Sequence, residues 1–455
     1  MTPVRLAQAL ALSDGDLVAL TGAGGKTAAL FRLADDVVER GGRVITTVTT
    51  RLAADQLTRA PHHLSAFAAN RAALTAALNK YAHVLVTGPV DQTLGKAAGV
   101  TAGLVAELCQ LPDLAALLVE ADGARQLPFK APAAHEPVIP EAATVVLVVA
   151  GLSVLGQPLT DQFVHRPEIV AELAGARLGE PVTPETIARV LAHPAGGLKG
   201  VPAGARVCVL LNQIETDEEL ALGRLIAARI LLLTGRVERV LLGSARRPQA
   251  VREVHGRVAA VVLAAGRSTR MGRAKQLLPW GATTVLGEVI ARLRQTAVSD
   301  IVVVTGAERG AVEAVAASAA AGDPRVRGVF NPEFAAGEMA VSLQAGLRAL
   351  PEDRLGALVV LGDQPWLEPG VVAAVLQRWR ETQAPALAPF FGGQRGHPLL
   401  FDRGLWPAIL ALPADANPRA ALRAVDDLVR VSVDTASILR DLDTPADYAA
   451  AAPHP

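Results

Sequence analysis

Cysteine is nearly missing from this chain: Cys109 and Cys208 are its only two in 455 residues. A pair so far apart makes no disulfide framework and fits no zinc-ligand spacing, so the sequence points to two buried thiols in a reducing cytoplasm. Aromatic side chains are scarce too, at 3%, which leaves the core to Ala, Leu and Val. An excess of either charge is also lacking. Lys and Arg number 44 and Asp and Glu 44, with charged residues only 19% of the chain. That balance excludes a general nucleic-acid binder and an acidic disordered tail. Long apolar runs are absent as well, although hydrophobic residues reach 51%. Stretches such as 143–155 fall short of the ~20 residues that span a bilayer. The opening MTPVRLAQALALSDGD has no signal-peptide pattern and reads as a short first helix. The expectation is a cytoplasmic protein with no membrane partner.

What is present is a repeated alternation. Val/Ile/Leu runs at 16–20, 43–49, 83–88, 116–122, 144–151, 206–212 and 239–243 are separated by Ala/Leu/Arg stretches of helical character. Continuous apolar strands between helices predict a parallel sheet covered on both faces. The pattern restarts at 258–266 and continues at 300–306, 326–331, 357–363 and 385–393. Between the two sets, GSARRPQAVREVHGR (243–257) is polar, Arg-rich and free of strand pattern. The expected fold class is therefore α/β, as two three-layer α/β/α units with mostly parallel sheets, over 1–250 and 257–455. The length suits roughly two or three domains.

In the second half, VAAVVLAAG runs directly into RSTRMGRAKQLLPWG, which gathers Arg267, Arg270, Arg273 and Lys275 beside Gly266 and Gly272. Glycines let a backbone approach a ligand, and helix-start amides with cationic side chains suit a polyphosphate. Asp363 ends the strand ALVVLGD at the carboxyl edge, where ligands bind in open α/β sheets, and Asp443 lies in a turn stiffened by Pro445. Each carboxylate reads either as a hard ligand for Mg²⁺ or as a helix N-cap.

LAAGRSTRMGRAKQLLPWG, NPEFAAGEMAVSLQAGL (331–347), VVLGDQPWL (359–367), GGQRGHPLLF (392–401) and DLDTPADY (441–448) resemble the MobA-like nucleotidyltransferases, of the molybdenum cofactor cytidylyltransferase type. The resemblance implies a nucleotide-diphospho-sugar-transferase-like (Rossmann-like) unit. It implies transfer of CMP from CTP to molybdopterin-bound molybdenum, with release of pyrophosphate and dependence on Mg²⁺. By the same resemblance Arg270 and Lys275 neutralise the triphosphate, Leu263, Ala264 and Ala265 frame the base, and Asp363 and Asp443 hold the metal. Asn331 and Ser342 are placed to contact nucleotide or cofactor. Gly396, His397 and Pro398 match a segment near the pterin, although a lone His is also commonly structural. Two departures stand out: Glu338 separates Gly337 from Met339, and PADANPRAAL keeps Asp415 and Arg419 while losing two glycines.

In the first half, DLVALTGAGGKTAALFRLA reads as strand, Gly loop and helix. Gly22, Gly24, Gly25, Lys26 and Thr27 supply the parts of a shortened P-loop, for which Leu20 stands where the full spacing wants glycine. This makes the unit P-loop-NTPase-like, with ATP or GTP as candidate ligands. Glu120 and Asp122 follow a strand in the manner of a Walker B segment that completes a magnesium site with Thr27, or else form a simple turn with Gly123. LLNQIE (210–215) carries Gln213 and Glu215 where a guanine-reading loop has Lys and Asp, so no guanine specificity follows.

LTGAGGKT, ITTVTTRL (45–52), VEADGARQLPFKAPAAHEPVIP (119–140) and DQFVHRPEIV (161–170) resemble the YqeC family of accessory proteins for selenium-dependent molybdenum hydroxylases. The resemblance implies a client hydroxylase as partner and puts Thr47, Thr49, Arg51, Lys130, His135 and His165 in the motifs. Two other readings remain open here. One is a chaperone that carries finished cofactor without turnover, and the other is a transferase that uses GTP or a sugar phosphate.

Overall fold

The computed structural model describes residues 4–268, 271–335, 339–414 and 428–452. The chain divides into two compact units, Met1–His255 and Gly256–Pro455.

The first unit opens with a one-turn helix, α1 (Leu6–Ala9), and is built on a nine-stranded sheet. Its strands are β1 (Asp16–Gly22), β2 (Val44–Val48), β3 (His63–Ser65), β4 (His83–Thr87), β5 (Ala116–Glu120), β6 (Val145–Gly151), β7 (Arg206–Asn212), β8 (Val237–Gly243) and β9 (Val251–His255). The spatial order is β9-β8-β7-β6-β1-β5-β2-β4-β3. All pairings are parallel except β8 with β9. Central β1 is flanked by β5 and β6 and buried from Leu17 to Thr21, which is why its sequence is continuously apolar. The register sets Leu20 level with Glu120, so the Gly loop after β1 and the Glu120–Asp122 segment after β5 emerge at one edge. Helix α2 (Lys26–Glu39) buries Ala29, Leu30, Leu33, Ala34 and Val37, a stripe at three- and four-residue spacing.

Strand β9 corrects the expectation of a strand-free segment at 243–257. Its polar residues satisfy one another: Glu253, 2% exposed, is bonded by Arg224 at 3.1 Å and by His255 at 2.8 Å. The charges that hid the strand in the sequence are thus neutralised in place, while Val251 and Val254 face the core. Cys208 is fully buried and its thiol is pushed by burial up to about 12. Cys109, expected to be buried, is only half-buried.

The second unit holds β10 (Arg257–Leu263), β11 (Ile301–Thr305), β12 (Val326–Phe330), β13 (Arg354–Leu361), β14 (Ala386–Phe391), β15 (Gln394–Arg395), β16 (Leu399–Asp402) and β17 (Leu428–Ser432). Their order is β12-β11-β10-β13-β16-β14-β15, with β17 parallel to β14. β16 runs antiparallel to both of its neighbours, so this sheet is mixed at one side. Leu263 lies level with Val304 and Leu361, which brings the loop after β10 and Gly362–Asp363 to the same edge. Helices α3 (Val285–Arg294), α4 (Met339–Arg348) and α5 (Pro369–Thr382) cover the faces, and the indole of Trp379 in α5, fully buried, donates to Asp402 at 3.1 Å. Among the described residues no helix is long and apolar enough to cross a membrane.

Candidate functional site

The loop after β10 borders a cavity of about 390 Å³, lined by Leu263, Ala264, Ala265, Gly266, Arg267, Ser268, Lys275 and Asp363 among others. That volume falls within the range of small-molecule sites. The loop is held in shape from within. Ser268, at a left-handed φ of 49°, accepts from the Lys275 amide at 3.1 Å, and Gln276 donates to the carbonyls of Ala264 at 3.2 Å and Gly266 at 3.4 Å. Gly272 has φ 66°, a backbone open to glycine, whereas a Cβ at Gly266 would meet no protein atom within 4 Å. Packing therefore does not demand Gly266. Arg267 lies over the Phe334 ring at 5.6 Å and Arg273 over Tyr448 at 5.8 Å. Arg270 lies outside the described residues, as do Gly337, Glu338, Asp415 and Arg419.

Lys275 joins the two candidate metal carboxylates. Its ammonium is 2.7 Å from Asp443 Oδ1 and 3.4 Å from Asp363 Oδ2. Neither aspartate caps a helix: Glu368 precedes α5, and Thr444 caps the helix Pro445–Ala451 through a box with Asp447. Two hard oxygen donors converging on one cation position are a donor set suited to Mg²⁺, with phosphate and water completing its shell. Burial pushes the Asp363 carboxyl above its usual range, and the charge of Asp441 adds to this while Lys275 opposes it. The segment bearing Asp443 is clasped to the segment bearing Asp363. Gln364 donates to Asp441, Arg440 stacks on Trp366 at 4.0 Å, and Leu442 is fully buried. Sequence reasoning missed Gln276 and Gln364, because nothing marks an amide as structural until its partners are known.

The remaining residues expected here divide. Ser342 lines the cavity, and Asn331, 2% exposed, donates to its hydroxyl at 3.1 Å from behind. Gly396, His397 and Pro398 are not among the cavity-lining residues. A Cβ at Gly396 would stand 2.3 Å from the Ile438 carbonyl, and the His397 amide donates to that carbonyl at 3.2 Å. This segment therefore supports the strand-to-clasp connection.

At the first unit's edge, Gly22, Gly24 and Gly25 have φ values of 92°, 78° and 120°. Their loop is packed tightly: a Cβ on Gly24 would come within 2.2 Å of the Gly151 amide. The amides of Gly22, Ala23 and Gly24 donate to Asp122 Oδ2, Val149 and Leu127. These three are spent within the protein, unlike the expected phosphate wrap, which leaves the first turn of α2. Lys26 donates to its own loop at Gly22 O, 2.6 Å away, and lies 3.1 Å from Asp122 Oδ1. Thr27 donates to Glu120 Oε2 at 2.9 Å. Burial pushes the Glu120 carboxyl up, with Lys26 and Thr27 opposing it. Lys130 contacts Asp122 at 2.7 Å and Glu136 at 2.9 Å, and Arg166 reaches the same Glu136 oxygen at 2.8 Å. Burial works against the Glu136 charge, but these two cations hold its carboxyl down to about 2.

The structure thus gathers Lys26, Thr27, Glu120, Asp122 and Lys130. Thr47 is instead committed to the Val86 carbonyl at 2.7 Å, and Thr49 lies 3.4 Å from the Glu120 carbonyl. Arg51 starts a short strand away from these acids' contacts, and the side chain of His135 is 77% exposed. His165 is buried beside Arg166, and its pKa is lowered by burial and then by that cation. Asn212 was not foreseen as part of the loop: it donates to Gly24 O at 2.7 Å and accepts from the Ala245 amide at 2.8 Å.

Two family models match the chain, YqeC protein over residues 18–168 and the MobA-like NTP transferase domain over 260–430. The uncharacterized protein YqeC of Escherichia coli K12 is 31% identical over 209 residues, covering 44% of this chain and 77% of that protein. The molybdenum cofactor cytidylyltransferase of the same organism is 29% identical over 188 residues, covering 41% of this chain and 92% of that enzyme. Nicotine blue oxidoreductase of Paenarthrobacter nicotinovorans is 32% identical over 195 residues, covering 41% of this chain and 92% of that protein.

Proposed function

From the premise that this chain belongs to the YqeC family through its first half and to the MobA-like NTP transferase family through its second, we propose that it nucleotidylates molybdenum cofactor. CTP is the donor in this reading, and the YqeC-like unit serves maturation of a client molybdenum hydroxylase. The observation that carries the transfer is Lys275, shared by Asp363 and Asp443 beside a 390 Å³ cavity whose wall is the Gly266 loop.

A phosphate oxygen of molybdopterin attacks the α-phosphorus of CTP. A new P–O bond forms, the bond to the bridging β-phosphate oxygen breaks, and pyrophosphate leaves. Two anions meet in this step, so the protein contributes positioning and charge neutralisation. Mg²⁺ bound by Asp363 and Asp443 would supply Lewis-acid neutralisation of the phosphates. Lys275, whose ammonium lies between Asp363 and Asp443, would contribute its positive charge to the triphosphate. Arg270 and Arg267 add positive charge from the same loop. Leu263, Ala264 and Ala265 present backbone to the base, with Gln276 fixing the Ala264 and Gly266 carbonyls.

Purified protein incubated with molybdenum cofactor, Mg²⁺ and CTP, GTP or ATP is expected to release pyrophosphate fastest with CTP and only when cofactor is present. No cofactor-dependent release with CTP rejects the cytidylyl reading, and release with none of the three rejects transfer.

A further inference from the structure

We propose that the helix Asp217–Leu233 of the first unit is a self-association surface, on which a second copy of this chain docks its own Asp217–Leu233 antiparallel about a two-fold axis. The proposal does not rest on the transfer reading.

The helix is firmly built. Thr216 and Glu219 form a capping box at its start, and Leu220, Gly223, Ile226, Ala227 and Ile230 are buried in the unit. Its opposite face is apolar as well. Among the described residues ten large apolar side chains are exposed, and four of them, Leu222, Leu225, Leu232 and Leu233, lie on this one helix. Leu225 is 61% exposed and Leu232 76%. Isolated exposed leucines need no explanation, but a cluster on one element marks an interaction surface. Exposed Ala221, Leu225, Ala228 and Leu232 recur at steps of four, three and four, the spacing of a seam between two packed helices. The two arginines along the helix are already engaged within the unit, Arg224 by Glu253 and Arg229 by Glu185, so the seam carries no charge in need of water.

Two features select a second copy as the occupant and fix its direction. The seam is complementary to itself in size. A two-fold axis between Ile226 and Ala227 sets Ala221 level with Leu232 of the second copy and Leu225 level with Ala228, so every large side chain meets a small one. A parallel pairing would set leucine on leucine and alanine on alanine, with gaps at every second layer. The two ends are complementary in charge. Glu218, exposed at the helix start, has no ion-pair partner among the described residues. Arg236, just past the helix end, donates to the carbonyls of Pro202 at 2.7 Å and Ala203 at 3.1 Å, and it too has no carboxylate partner among the described residues. Antiparallel packing brings each Glu218 toward Arg236 of the other copy and opposes the helix dipoles favourably, whereas parallel packing sets Glu218 on Glu218.

Sedimentation velocity of the full chain at rising concentration is expected to show a monomer–dimer equilibrium. Two helices about 25 Å long bury less than the standard interface of ~1,600 Å², so the expected dissociation constant is about 10 µM. Leu225→Asp weakens association about a hundredfold, and because the position is exposed the monomer keeps its melting temperature within about two degrees. Leu225→Ala alone and Ala228→Leu alone each weaken association about tenfold, and the two together restore it to within about threefold of the native chain, because large and small only exchange places. Under mild oxidation, chains carrying Ala221→Cys crosslink to chains carrying Leu232→Cys. Neither variant crosslinks to itself, since like positions of the two copies stand about 16 Å apart along the helix axis. A chain that stays monomeric at about 100 µM overturns the proposal and leaves the face to a different partner. A dimer that Leu225→Asp leaves intact overturns it too. Failure of the double change to restore association, or crosslinking of either cysteine variant to itself, overturns the antiparallel register.

Discussion

Lys26 and Lys275 solve the same problem in opposite settings. Each follows a glycine-bearing loop after a central parallel strand, and each holds two carboxylates from neighbouring segments. Around Lys26 every partner is buried and a second lysine shares the load. Around Lys275 the site is open: the Asp443 side chain is 50% exposed and a 390 Å³ cavity adjoins. The lesson is that motif chemistry alone does not define readiness. The open site leaves Asp363 and Asp443 partly exposed, whereas the closed one spends its buried charges on one another.

The largest effect expected is on the open side. Asp363→Ala should lower nucleotidyl transfer about a thousandfold, the scale on which charge stabilisation of a phosphoryl transition state acts. Its melting temperature should stay within a degree or two, because Asp363 is partly exposed and Lys275 keeps Asp443. Full activity removes Asp363 from the reaction. The matching change on the closed side acts on stability instead. Asp122→Ala leaves Lys26 and Lys130 buried without their shared anion and should cost about 3 kcal/mol in denaturant unfolding of the first unit. A cost below about 1 kcal/mol would show that the cluster is hydrated and that the contrast between the sites is false.

Gln364→Ala sharpens the comparison by loosening the open site without touching Lys275, Asp363 or Asp443. The clasp through Asp441 orients the segment that carries Asp443, and outer partners of metal ligands typically matter by about 10–100-fold in metal affinity. Mn²⁺ binding followed by electron paramagnetic resonance should weaken by about tenfold, with Gln364→Glu failing to restore it because Glu would face Asp441. Undiminished Mn²⁺ affinity rejects a positioning role for Gln364.

Much of this was legible in advance, for identifiable reasons. Strands β1, β5, β10 and β13 are buried on both faces, so they read as unbroken apolar runs, and the loops that follow carry the glycines and charges. Lys275, Asp363 and Asp443 belong to such motifs and do converge. Strand β9 was not legible, since Arg224 and His255 neutralise Glu253 from places the local pattern does not contain. Asn212 and Gln364 escaped for a related reason: an amide gains its role only from partners distant in sequence. The engagement of the Gly22 to Gly24 amides was also invisible, because a glycine loop has the same sequence whether its amides face a phosphate or Val149 and Leu127.

The smallest effect concerns pH and the buried character of the first unit. His83 lies 3% exposed on β4, hydrogen-bonded to Thr46 at 3.0 Å, and burial lowers its pKa to about 4. Its folded pKa lies below the ordinary 6.5, so the unfolded chain takes up the proton first as pH falls. The stability that goes with neutral His83 is therefore present above about 6.5 and is lost progressively down to about 4, amounting to about 1 kcal/mol at pH 5.5. In the second unit, Asp323 is held down to about 2 by Arg325, so its contribution persists through that window and declines only in stronger acid. Glu120 and Asp36, pushed up by burial, act in the opposite sense to His83 in the first unit. The His83 part must accordingly be read as a difference, between the native chain and His83→Asn, in unfolding free energy at pH 7.5 and 5.5. The native chain should lose about 1 kcal/mol more than the variant over that step. Equal losses would mean that the His83 imidazole titrates as it does in water, and that the sheet supporting the closed site is less dry than its packing indicates.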